Sequence, residues 1–172
     1  HTGGMSCLYL LDIRQSKSAL QSLRRALLAR YPGIGVHIFP TEVPAQKGVK
    51  RPPTVMGGTI AIISKEWKHA VVSAKTDSSG LSILTRIKFK VASDIPGTKA
   101  TFFTTIGAYI PPQAGSDSGP YTINTRLRQY LASSTSVTHS PTITPRQWAQ
   151  LVIQKWTLRA QAQGQFVIVV GD

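Results

Sequence analysis

Acidic residues are scarce in this chain: 7 Asp and Glu stand against 20 Lys and Arg among 172 residues, for a formal charge of +13. A surface so poor in carboxylate suits a polyanion, because Lys and Arg approaching a phosphate backbone release its counterions whether or not sequence is read. Anionic lipid or an acidic protein would answer the same charge, but nucleic acid is the expected partner. Cysteine is nearly absent. The single Cys7 excludes an internal disulfide and a Cys-rich zinc site, and its neighbours Leu8, Tyr9 and Leu10 suggest a buried structural thiol. No apolar run approaches the roughly 18–20 residues that span a bilayer, so a soluble chain is expected, with no transmembrane segment. The opening His1-Thr2-Gly3-Gly4 has neither the basic nor the apolar region of a secretory leader. It reads as an arbitrary start, with residues 1–6 expected to be disordered. An intracellular setting is expected over secretion, with the compartment otherwise open.

Catalytic signatures of several kinds are missing too. The 4 histidines, His1, His37, His69 and His139, show no His-Glu-x-x-His spacing, there is no Gly-x-Ser-x-Gly elbow, and no Lys-Ser/Thr follows Gly57-Gly58. Zincin, α/β-hydrolase and phosphate-loop chemistry are thereby set aside. Internal repeats are absent as well.

What the chain does contain is an alternation of short apolar runs and helical patterns fitting a single domain. Met5 to Asp12 reads as a buried strand that delivers Asp12 to its C-terminal end. Ser16 to Arg30 places Leu20, Leu23, Leu27 and Leu28 at helical spacing, with Ser16 as a cap and Pro32-Gly33 as the stop. A strand follows over Ile34–Phe39. The stretch 40–53, with Lys47, Lys50 and Arg51, reads as an exposed basic loop, and together with Arg14, Arg24 and Arg25 it forms the expected nucleic-acid-facing patch. Three further strands are expected over Gly58–Ser64, Ala70–Lys75 and Leu81–Val91. In the last, Leu81 and Ile83 alternate with Ser82, Thr85 and Lys88, and Asp77-Ser78-Ser79-Gly80 provides the hairpin turn before it.

Lys99 to Ile110 is β-branched and aromatic up to Pro111-Pro112, and a loop follows over 113–119. Helices are expected over Tyr121–Ala132 and Thr144–Gln163, on either side of a linker at 133–143. The second opens with Thr144 as cap and Pro145 at the first helical position, and Trp148, Leu151, Val152 and Trp156 form its buried stripe. Phe166 to Val170, five consecutive apolar residues, reads as a buried strand carrying Gly171-Asp172.

Three strands therefore end at a carboxylate or a Tyr-x-Pro element: Leu10-Leu11-Asp12, Ala108-Tyr109-Ile110-Pro111 and Val170-Gly171-Asp172, with Gly57-Gly58-Thr59 between the first two. In this order they resemble the endonuclease/exonuclease/phosphatase superfamily, particularly the endonucleases of LINE-type retrotransposons. In that family the first of these strands ends in a Leu-Gln-Glu-Thr-like motif, matched here by Leu10 to Ile13 with aspartate for glutamate. The resemblance implies an α/β class of the α+β sandwich type, a β-sandwich flanked by helices, of which this chain is the N-terminal half. It also implies Mg²⁺-dependent phosphodiester hydrolysis on DNA rather than RNA, with Asp12 binding the metal, Tyr109 positioning the scissile phosphate and Asp172 orienting or activating the water.

Departures temper the implied activity. No Asn-bearing strand precedes Asp12, and neither the x-Asn after Gly-Asp nor the Ser-Asp-His of the family lies within the chain. Aspartate for glutamate also withdraws the carboxylate by about 1.5 Å, enough to weaken a metal ligand. Taken singly, Asp12 could be a helix cap and Tyr109 a core-edge aromatic. Two expectations remain: a fragment of a retrotransposon-like endonuclease, inactive as this chain alone, or a non-catalytic basic subunit of a larger assembly. In both, a half-sandwich leaves apolar surface for a protein partner or a second copy to cover. A plain α/β domain would instead scatter Asp12, Tyr109 and Asp172.

Overall fold

The structure is a computed structural model that describes residues 6–42, 56–92, 99–112, 122–133 and 143–171. In chain order the elements are β1 (Cys7–Leu11), α1 (Lys17–Arg30), β2 (Gly35–Phe39), β3 (Thr59–Ile63), β4 (Val71–Thr76), β5 (Leu84–Val91), β6 (Thr101–Ala108), α2 (Ile123–Ser133), α3 (Pro145–Gln161) and β7 (Phe166–Gly171). A short 3-10 turn, Lys68–Ala70, leads into β4.

Local chemistry sets the element ends. Ser16 caps α1 by accepting from the Ala19 N–H at 3.2 Å. Thr144 opens α3 with a reciprocal box: its hydroxyl accepts from the Gln147 N–H at 3.2 Å, and its own N–H donates to Gln147 Oε1 at 2.9 Å. Between β4 and β5 the buried Asp77 carboxylate holds the turn, accepting from the Ser79 N–H and the Leu84 N–H, each at 2.8 Å, and from the Ser79 hydroxyl. These bonds leave that acid occupied with structure.

Two sheets result, with orders β1-β3-β2 and β4-β5-β6-β7. Every pairing is antiparallel except β6 with β7, which run parallel. A parallel pair needs a crossover, and α2 and α3 supply it. The sheets face each other across Tyr9, Phe39, Ala61, Ile63, Ile87 and Phe89. The Tyr9 ring lies against Gly107, leaving no room there for any Cβ, and its hydroxyl shares a 2.6 Å hydrogen bond with Thr105 Oγ1 in the opposite sheet. Burial lifts the Tyr9 phenol far above its ordinary range and raises the half-buried Cys7 thiol beside it. Helix α1 covers the outer face of the first sheet through Leu20, Val36 and Ile60, and α2 and α3 cover one end of the second through Leu84, Ala108, Leu127 and Trp148. Leu20 is wholly buried, which stabilises by about 2 kcal/mol. The described residues thus form a mixed α+β sandwich of two sheets and three helices.

Three details differ from the sequence reading. Strand β7 is not buried: Phe166 is 72% exposed and Ile168 51%, and among the described residues β7 stands at the end of its sheet with a neighbour along one edge. On α3, Trp148 is buried but Leu151 faces solvent. Finally, β5 begins at Leu84, after a left-handed Ser82 (φ 52), and two-residue alternation places Thr85, Ile87 and Phe89 on the inner side and Arg86 and Lys88 on the outer. Thr85 and Lys88, expected on one face, lie on opposite faces.

Candidate functional site

The chain leaves β1 at Asp12 and turns sharply, with φ positive at Asp12 (51) and Arg14 (55). Left-handed backbone costs a side-chain-bearing residue roughly 1 kcal/mol or more, so the surroundings must hold it. They do so through the Asp12 carboxylate, whose Oδ1 accepts the Gly57 N–H at 2.9 Å. Its Oδ2 accepts from Arg14 twice, from Nε at 2.8 Å and Nη2 at 2.7 Å. The backbone N–H groups of Ile13 and Arg14 donate to the carbonyls of Gly58 (3.2 Å) and Gly57 (3.0 Å), so the β1 exit is sewn to the start of β3. Asp12 does not cap α1; Ser16 does.

The Gly57-Gly58 pair links this corner to the second sheet. Gly57 is left-handed (φ 81), and a Cβ there would collide with the Leu81 carbonyl, to which the Gly58 N–H donates at 2.8 Å. Thr59 Oγ1 donates to the Ser82 carbonyl at 2.7 Å. One residue on, the Ile83 carbonyl accepts the Tyr109 N–H at 2.9 Å. Tyr109 therefore follows β6 at the same end of the sandwich as Asp12, with its ring packed beside the cluster of Leu84, Ala108 and Trp148. Ala108 is the parallel partner of Gly171, so the exits of β6 and β7 lie side by side. The backbone thus brings the ends of β1, β6 and β7 to one end of the molecule, while Asp172 itself lies outside the described residues.

No protein-family model matches the chain, and neither does any curated protein. Among solved structures it is similar to the human Nocturnin catalytic domain with bound sulfate anion, at 15% identity and a TM-score of 0.46. The match covers 96% of this chain and 50% of that one, so the chain spans about half the length of that domain.

A divalent cation does not fit Asp12 as the side chain stands. The carboxylate is 10% exposed, one oxygen is held by a backbone N–H, and the other is neutralised by a guanidinium at 2.7 Å. Among the described residues no three His, Cys, Asp or Glu side chains gather as a metal-binding group.

The expected basic patch is only partly placed. Lys47, Lys50 and Arg51 lie outside the described residues. Arg14 is committed to Asp12, and Arg24 donates from Nε to the Val36 carbonyl at 3.1 Å, tying α1 to β2. Arg24 also helps hold the half-buried His37 imidazole below its ordinary pKa, though burial is the larger cause. Arg25 lies within 3.5 Å of Ser22 Oγ on the exposed side of α1. Sequence reasoning missed a different cationic group: Lys75 of β4, Arg86 and Lys88 of β5, and Arg159 of α3 line one cleft of about 340 Å³. Its signal was the two-residue spacing of Arg86 and Lys88, which sets both on one face of the strand wherever it begins.

Proposed function

We propose that this chain is a nucleic-acid-binding part of an endonuclease/exonuclease/phosphatase-type module, and that in this form it binds rather than cuts. The observation that carries the reading is the condition of Asp12. The family role asks this carboxylate to present free oxygen to a metal, yet three of its roughly four acceptor sites are taken, one by the Gly57 N–H and two by the Arg14 guanidinium. The +13 charge supplies the affinity for a polyanion, with DNA favoured over RNA. A protein partner, or a second copy, for the exposed apolar strand β7 belongs to the same reading.

A second reading, a retrotransposon-type Mg²⁺-dependent endonuclease, has one observation in its favour. The exits of β1, β6 and β7 share one end of the sandwich, and backbone strain gathers there at Asp12, Arg14 and Ser82. In that reading Tyr109 would position the phosphate and Asp172 the water.

Incubating the chain and an Asp12→Ala variant with supercoiled plasmid, with and without Mg²⁺, separates the two. Salt-sensitive retention of DNA without nicking is the expected result. Metal-dependent nicking that disappears in Asp12→Ala overturns binding without cleavage and establishes the endonuclease. Neither retention nor nicking would leave a structural subunit.

A further inference from the structure

The cleft of Lys75, Arg86, Lys88 and Arg159 lies on the outer face of the second sheet, bordered by β4, β5 and β6 and by the C-terminal end of α3, which packs on β6 and β7. The register fixes its place. Arg86 and Lys88 pair with Ile106 and Thr104 of β6, whereas the β6 exit toward Tyr109 is at Ala108. The cleft extends from there toward Gln163 and Gln165, before β7 begins, and so toward the opposite end from Asp12.

Among the described residues four cations line it and no carboxylate does. None of the four makes an ion pair among the described residues, where the ion pair is Arg14 with Asp12. Like charges brought together in a partly desolvated cleft repel, and the Arg86 guanidinium is held below its ordinary pKa by burial first and by Arg159 second. Such an arrangement costs stability unless something anionic enters.

Two of the four cations are held in place. The Arg86 guanidinium lies 5.2 Å from the centre of the Trp156 ring and Lys88 Nζ 4.5 Å from that of Phe102. On the floor the buried Thr104 hydroxyl donates to Gln165 Oε1 at 2.8 Å, and Gln165 Nε2 donates to Gln163 Oε1 at 2.6 Å. Cations on strands and a helix, with fixed amides between them, resemble a phosphate receptor more than a solvated charged face.

We propose that this cleft is a second anion site that takes phosphodiester groups of a nucleic-acid backbone, separate from the strand ends around Asp12. Its volume of about 340 Å³ exceeds what a lone phosphate ion fills, and the cleft is open to solvent. The assignment rests on the nucleic-acid reading above and adds the surface by which the chain would hold its ligand away from any cutting site.

The test measures binding of a fluorescent 20-nucleotide single strand across a salt series, for the unaltered chain, for Lys75→Gln/Arg159→Gln, and for Lys17→Gln/Arg30→Gln on α1 as an equal-charge control. Lys75 and Arg159 are both exposed, so the cleft pair should fold, and a melting curve checks it. A loss of about tenfold or more in affinity, with a salt slope shallower by about 1.4 for two lost phosphate contacts, is expected of the cleft pair and not of the control. Equal losses in both would overturn the site in favour of diffuse charge. Failure of the unaltered chain to bind the strand would overturn the nucleic-acid reading itself. Titration with pyrophosphate, read on the arginine Nε–H resonances, adds the other source. Shifts of Arg86 and Arg159 with pyrophosphate but not with the strand would replace the backbone by a small phosphorylated ligand and overturn the proposal.

Discussion

The two ends of the second sheet treat charge in opposite ways. Near Ala108 and Leu84, polar groups are consumed internally: Asp12 by Gly57 and Arg14, Gly58 by Leu81, Tyr109 by Ile83. Toward Thr104 and Gln165, four cations share a cleft with no acid among its lining residues. A closed network stabilises the fold and resists a ligand, whereas an open one weakens the fold slightly and awaits a ligand. In the proposed reading the conspicuous aspartate is architectural and recognition lies where charge is left over.

The sharpest way to break the comparison is Gly57→Ala. Its Cβ would meet the Leu81 carbonyl in a backbone region closed to alanine, so a loss of about 3 kcal/mol or more is expected in the denaturant midpoint. A loss under about 1 kcal/mol would mean that this end is slack, not closed. Asp12→Asn is milder, since its amide oxygen still accepts from Gly57 while the pairing with half-exposed Arg14 is weakened. About 1 kcal/mol should be lost, and no loss would show the ion pair to be incidental.

The smallest effect is expected away from both ends, at His37. Its folded pKa lies below the ordinary value, so the unfolded chain takes up the proton first as pH falls. Its contribution is whole above the unfolded pKa of about 6.5 and is lost as pH falls through the folded value. His37→Gln should flatten that part of the stability profile between neutral and mildly acidic pH. An unchanged slope would assign it to other groups.

Much of the architecture was legible because local chemistry wrote it. Ser16 with the Leu20 spacing, Thr144-Pro145, and Asp77-Ser78-Ser79-Gly80 each name an element boundary, and each stands where read. Burial was less legible. The run Phe166 to Val170 has the composition of a strand covered on both faces, but covering depends on neighbours that composition does not encode. At the site, the positions of Asp12 and Tyr109 after their strands could be read, but the capture of Asp12 by Arg14 could not. That pairing depends on two left-handed residues that no spacing rule anticipates. The cleft was hidden by one grouping: placing Thr85 with Ser82 and Lys88 breaks the two-residue alternation, which otherwise sets Arg86 beside Lys88.

Strand β7 has a consequence for how the molecule behaves in concentrated solution. Its sequence, Phe-Val-Ile-Val-Val, is uncharged, β-branched and free of proline, and it lies at the rim of a sheet with its side chains in water. Such a rim templates further strands, the growth step of fibrils. Mutual repulsion between copies carrying +13 each is the natural brake on that growth, and it works only while ions do not mask it. Salt strong enough to strip away a polyanion would release that brake as well, so the colloidal lifetime of the chain is tied to the same electrostatics as its grip on a ligand.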